Sequence, residues 1–142
     1  AAAPVRQCCL KKAKLPDLLK QKRGGKKVLR LKYSQSLKKN HEFRRLYSRG
    51  KSALSPYLVV YCRRNGRGVN RVGITVGGKV GNAVKRNLVR RRLRESYRRN
   101  EERFYTGYDL VFVARVKTGY ARYRQIEDNL LRLSGKLGLL RP

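Results

Sequence analysis

The segment from Ala83 to Arg99, AVKRNLVRRRLRESYRR, limits what the chain can become more than any other. Val89, Leu93 and Tyr97 recur every four residues, so on a 3.6-residue helix they form one apolar stripe. Arg86, Asn87, Arg90, Arg91 and Arg94 fall on a neighbouring face, with Lys85 at its start. Such a helix must bury one side in a core and present a fork of guanidinium groups on the other. Planar, permanently charged Arg grips phosphate through paired hydrogen bonds, a geometry the Lys ammonium lacks. So dense a cationic face repels itself in isolation, and a polyanion opposite relieves that repulsion. RNA is the expected polyanion.

Composition points the same way. Across 142 residues there are 38 Lys and Arg against 8 acids, a formal net charge of +30. That excess suits a nucleic-acid or anionic-membrane surface. The membrane reading is the weaker one, since no apolar run nears the roughly 18 residues a span requires. Hydrophobic residues make up 40 %, enough for a real core. Cys8, Cys9 and Cys62 show no metal-ligand spacing, and free thiols in a reducing cytoplasm are expected. The first residues also lack the apolar centre of a secretory signal.

Residues 1–33 read as a basic N-terminal extension with Asp17 as its one acid, disordered or ordered by RNA. A short helix near Leu15 to Lys22 is the one element expected there. The domain proper then runs over 34–142. A helix is expected from Leu37 to Gly50, with Asn40 as N-cap, Gly50 near the C-cap and Phe43, Leu46 and Tyr47 on one apolar face. Strands follow at Tyr57 to Arg63 and Val69 to Val76, and Asn65-Gly66 with Gly68 between them predict an antiparallel hairpin. Asn82 is placed to cap the basic helix. Tyr108 to Val116 is apolar on both faces, as a central strand would be. A last helix spans about Arg122 to Leu137, with Tyr123, Ile126, Leu130, Leu133 and Leu137 as its core stripe.

Two stretches carry a family resemblance. Gly81-Asn82-Ala83-Val84-Lys85-Arg86-Asn87, followed by Arg90, Arg91, Leu93, Arg94 and Glu95, resembles the RNR signature of the bacterial ribonuclease P protein component. Lys38-Lys39, Glu42-Phe43 and the closing Gly50 add a second match. The resemblance covers about Leu37 to Leu137. It implies an α+β fold, a two-layer α/β sandwich with about four strands in a mixed sheet. The implied order is α-β-β-β-α-β-α, with an extra short strand near Arg49 to Ala53. The implied crossover through the basic helix is left-handed, against the usual rule. This is the fold type of the second domain of a small-subunit ribosomal protein.

The resemblance also implies a division of labour. A large RNA subunit holds Mg2+ and removes the 5′ leader of precursor tRNA, and the protein binds that RNA, with one copy of each expected. Lys85, Arg86, Asn87, Arg90, Arg91 and Arg94 would carry the RNA contact. Phe43, Tyr47, Tyr61 and Lys79 would line a cleft for the single-stranded leader. Two positions depart from the family pattern. Gly78 stands where a second lysine is common, which thins the charge beside the cleft. Arg92 stands where an apolar residue is common, so the inner edge of the helix is expected to be partly solvated.

No catalytic residue or metal ligand is expected in the protein itself. A protein nuclease needs convergent carboxylates or histidines. His41 is the lone histidine, and most of the acids neighbour Arg or Lys, where surface ion pairing explains them. The competing readings are a structural rRNA-binding ribosomal protein and a free-standing nuclease.

Overall fold

The structure is a computed structural model and describes residues 31–142. The expectations for the Leu15 to Lys22 helix and for Cys8 and Cys9 lie outside the described residues. Within them the chain runs β1 (Ser34–Ser36), α1 (Asn40–Arg49), β2 (Lys51–Leu54), β3 (Leu58–Arg64), β4 (Asn70–Val76), α2 (Ala83–Asn100), β5 (Tyr108–Ala114) and α3 (Tyr123–Lys136). Single 3₁₀ segments at Gly78–Val80, Glu101–Arg103 and Val116–Tyr120 flank α2 and precede α3.

The strands make one mixed sheet in the order β1-β4-β5-β3-β2. β4 is parallel to both β1 and β5, whereas β3 is antiparallel to both β5 and β2. β5 takes the centre because both of its faces must leave water. Leu110 and Phe112 point to the core shared with α2 and α3, Val111 points to α1, and all three are fully buried. α2 and α3 cover one face of the sheet, while the shorter α1 crosses part of the other. β2 fills the place of the extra short strand expected near Arg49 to Ala53.

Three expectations change. β3 and β4 do not pair as a hairpin, because β5 inserts between them. The Asn65-to-Val69 loop arches over the start of β5 instead. The Asn65 backbone N–H donates to the Gly107 carbonyl at 3.0 Å. Its side-chain amide donates to Asp109 Oδ1 at 2.9 Å and to the Val69 carbonyl at 3.0 Å. Gly107 sits at φ +90° beneath that loop, where a Cβ would lie 3.0 Å from the Arg67 carbonyl oxygen. The turn residues thus build a bridge over a strand rather than a tight reversal.

Second, Lys39 rather than Asn40 is the N-cap of α1, and its side chain makes no capping bond. Gly50 does close the helix, donating to the Leu46 carbonyl at 2.9 Å. Third, the sheet has five strands rather than four. The additional β1, Ser-Gln-Ser, has no apolar alternation to announce it. It is held from outside: the backbone N–H groups of Lys32 and Tyr33 both donate to the buried Glu101 carboxylate at 2.9 Å. Ser34 Oγ also hydrogen-bonds the Tyr97 hydroxyl at 2.9 Å.

The stripe of α2 goes where its spacing sends it. Val89, Leu93 and Tyr97 are buried, and the Tyr97 ring packs against Phe104 at 4.9 Å and Phe112 at 5.7 Å between centroids. Burial pushes the Tyr97 phenol above its usual pKa. Leu93→Ala should therefore cost about 2–5 kcal/mol of stability, the usual range for a buried leucine. Arg94→Ala, one residue on and facing solvent, should change stability by less than about 0.5 kcal/mol. Denaturant unfolding of the two variants measures both, and equal losses would contradict the two-sided reading of α2.

Candidate nucleic-acid interface

The cationic ridge begins at a capped helix end. Asn82 Oδ1 accepts from the Lys85 backbone N–H at 3.0 Å, as its position in the sequence suggests. Gly81 before it has φ +149°, and a Cβ there would press on the Lys85 side chain at 2.9 Å. Lys85, Asn87, Arg90, Arg91 and Arg94 are exposed, and Arg86 is half-buried. None of these cations meets a carboxylate among the described residues. Arg86 Nε is buried with no acceptor among them, a donor the protein leaves open.

The ridge stops where acid appears. Glu95 accepts from Arg98 at 2.8 Å and from Arg99 at 3.3 Å, and the Arg98 bond holds its carboxyl below the usual range. The last turn is therefore partly self-neutralised, and uncompensated charge concentrates between Lys85 and Arg94. Arg92 does not join the ridge. It is partly exposed and donates to the Ala121 carbonyl at 2.9 Å, tying α2 to the segment before α3. Tyr120, exposed beside α2 with Lys85 Nζ 4.9 Å from its ring centroid, adds an aromatic face to the ridge. It follows a Thr-Gly turn with no periodic pattern, so nothing in the sequence singles it out.

The other residues expected to meet RNA flank α1. Leu46 is buried on Val111, with Phe43 half-buried beside it. Phe43 lies directly over the backbone of Gly73 in β4, where a Cβ would come within 2.5 Å of its ring. Only a glycine lets the ring settle there. Tyr47 packs edge-on against Tyr61 at 5.0 Å, and its hydroxyl hydrogen-bonds Thr75 Oγ1 at 3.2 Å. Lys79 is exposed in the 3₁₀ segment that follows β4. Gly78 beside it has open space around its Cα, so the missing lysine reflects no steric demand.

These residues do not gather in one place. Phe43 lines a cleft of about 540 Å³ together with Leu37, Ile74, Arg90, Arg94 and Tyr97. Tyr47 and Tyr61 form a separate aromatic pair over the sheet, and Lys79 lines neither feature. The cleft brings one residue expected for the leader to the edge of the ridge expected for the RNA subunit. An apolar floor with two guanidinium groups at its rim has the makings of a nucleotide site, a base below and phosphate above.

Most of the described acids are occupied elsewhere. Glu42 and Asp109 both pair with Arg71, Asp109 through Arg71 Nε at 2.8 Å, and these bonds push the guanidinium pKa further up. Glu101 holds the backbone ahead of β1, and Glu127 accepts from Asn100 at 2.9 Å. Among the described residues no three acidic, Cys or His side chains converge as a metal site would require. Cys62 is a buried free thiol with its pKa raised by that burial.

Comparison with known proteins gives a consistent answer. A family profile described as Ribonuclease P matches residues 31–138. The ribonuclease P protein component of Alkaliphilus oremlandii is 44 % identical over 110 residues, 78 % of this chain and 96 % of that one. That of Clostridium botulinum is 45 % identical over 104 residues, covering 72 % and 94 %. Among solved structures, the Staphylococcus aureus RNase P protein superposes with a TM-score of 0.70 at 30 % identity, covering 75 % of this chain and 97 % of that one. The Thermotoga maritima RNase P protein gives 0.64 at 32 % identity, covering 69 % and 93 %.

The Phe43–Gly73 contact yields a direct test. Gly73→Ala should cost about 1–3 kcal/mol by overpacking the ring. In a Phe43→Ala background the same substitution should cost close to nothing, because the obstructing atoms are gone. A double-mutant cycle in denaturant measures this, and additive losses would show that the ring does not rest on Gly73.

Proposed function

Since this chain belongs to the ribonuclease P protein family, we propose that α2 docks its ridge on the catalytic RNA while the α1 side of the sheet guides the single-stranded leader of precursor tRNA. The chain is the protein subunit of an endoribonuclease, a ribonucleoprotein of tRNA processing whose cutting is done by RNA. Its partner is the ribonuclease P RNA. Family membership leaves the rRNA-bound alternative without support.

One observation carries the proposal for α2. Its uncompensated cations stand on the face next to a fully buried stripe, so the helix cannot turn them away without unpacking the core. The fold holds the guanidinium groups ready, and RNA phosphates neutralise them by paired, charge-assisted hydrogen bonds. For the leader, the supporting feature is the cleft that joins Phe43 to Arg90 and Arg94. An unpaired base can stack on Phe43 while the backbone runs past the rim. Tyr47 and Tyr61 extend the apolar surface, and Lys79 supplies charge beyond it. Magnesium belongs to the RNA in this reading, the complex contains one protein per RNA, and it works in the cytoplasm. The described carboxylates that pair with Arg71, Arg98 and backbone amides are committed to structure.

Replacing Arg90 and Arg94 together with Glu should weaken binding to the catalytic RNA by about 10²–10⁴-fold, given about 1.5–3 kcal/mol for each of two charged hydrogen bonds. The unfolding midpoint should stay near wild type. Unchanged RNA affinity would remove α2 from the interface. Phe43→Ala should lower holoenzyme affinity for leader-bearing precursor by about 5–100-fold, the range for one stacked base, and spare mature tRNA. Equal losses for both RNAs would make Phe43 a packing residue only.

A further inference from the structure

Arg71, Glu42 and Asp109 close the bottom of a second basic hollow, on the opposite flank of α1 from Phe43 and Tyr47. The helical spacing separates the two sides: Phe43 and Tyr47 project one way from the buried Leu46, while Glu42 and Arg45 project the other. The hollow has a volume of about 350 Å³ between the start of α1, the end of β3 and the loop over β5. Its walls include Lys39, Arg45, Arg63 and Arg67. None of these four meets a carboxylate among the described residues. The carboxylates in the hollow, Glu42 and Asp109, are already claimed by Arg71.

The balance follows from those partners. Lys39, Arg45, Arg63, Arg67 and Arg71 bring five positive charges, and Glu42 and Asp109 bring two negative ones. Three positive charges remain around one concave space. The loop that carries Arg67 is fixed rather than loose, because Asn65 binds Gly107, Asp109 and Val69, and Asn65 Oδ1 also accepts from the Arg67 backbone N–H at 2.7 Å. The neighbouring Arg64 takes no part, because its guanidinium lies 5.9 Å from the Tyr108 ring centroid on the α3 side of the sheet. A concave wall of converging guanidinium groups concentrates anions, and its planar forks suit phosphodiester oxygens.

We infer that this hollow is a second RNA-backbone site, gripping phosphodiester groups on the flank of α1 away from the aromatic side chains. The inference rests on the RNA-binding reading of the family and adds to it a surface outside the α2 ridge and the leader cleft. The same phosphodiester chemistry is offered by two strands, the catalytic RNA and the distal part of the leader, and the test separates them.

The experiment uses the full chain with Arg45→Ala, Arg63→Ala and Arg67→Ala combined. Binding is measured across a salt series to the catalytic RNA alone, then as holoenzyme to precursors with short and long leaders. Loss of three single-strand phosphate contacts should lower the slope of log affinity against log salt by about 2. A change with the catalytic RNA assigns the site to that strand. A change seen only with long leaders assigns it to the leader. Unchanged slope and affinity in both series would overturn the inference. The Arg90→Glu, Arg94→Glu pair runs alongside: if it too binds normally, the RNA-binding reading itself fails, whereas if it alone weakens binding, only the hollow is refuted. Should the triple variant not fold, the exposed pair Arg45→Glu and Arg67→Glu takes the same measurements with the same deciding outcomes.

Discussion

Everything in this fold turns on one helix that is buried along one side and electrostatically incomplete along the other. Val89, Leu93 and Tyr97 must leave water, and the sheet under β4 and β5 receives them. That packing forces Lys85, Arg90, Arg91 and Arg94 outward, where no carboxylate of the described domain compensates them. Apolar burial thus does two jobs: it stabilises the domain, and it fixes guanidinium groups in positions they would not hold on a free peptide. The repulsion among them lowers stability in isolation and is relieved when a polyanion binds.

The opposite face of the sheet follows a different logic. α1 is too short to cover it, so part of it is left for aromatic side chains and a cleft. Arg71 lies under α1 with both nearby carboxylates, which fixes the helix across the strands and uses up the acids that could oppose RNA. A largely buried ion triad of this sort is weak evidence for stability. Its consequence for charge is clearer: it leaves the surrounding arginines without partners.

Most of the framework was legible in the residues. Period-four spacing gave α2 its buried side, Asn82 gave its start, and apolar residues on both faces of the 108–114 stretch gave β5 its central seat. The resemblance supplied β2, which the alternation of Lys51–Leu54 alone does not announce. What escaped had physical causes of long range. Asn-Gly chemistry is the same whether a chain reverses tightly or arches over a neighbour, and only the position of β5 decides between them. β1 has no apolar signal because a carboxylate 67 positions along the chain from Ser34 holds the backbone ahead of it. The candidate site was legible as residues and not as an arrangement. Nothing in the spacing says that Phe43 shares a cleft with Arg90 and Arg94, or that Arg92 is spent on a carbonyl.

In this division of labour the protein clamps and guides while the RNA does the cutting. The most direct measurement is cleavage of precursor tRNA across a magnesium titration by the protein alone, the ribonuclease P RNA alone, and the two combined. The protein should cleave nothing, and the pair should cleave at lower magnesium than the RNA needs by itself. Cleavage by the protein alone, or a magnesium requirement that the protein leaves unmoved, would refute that division of labour.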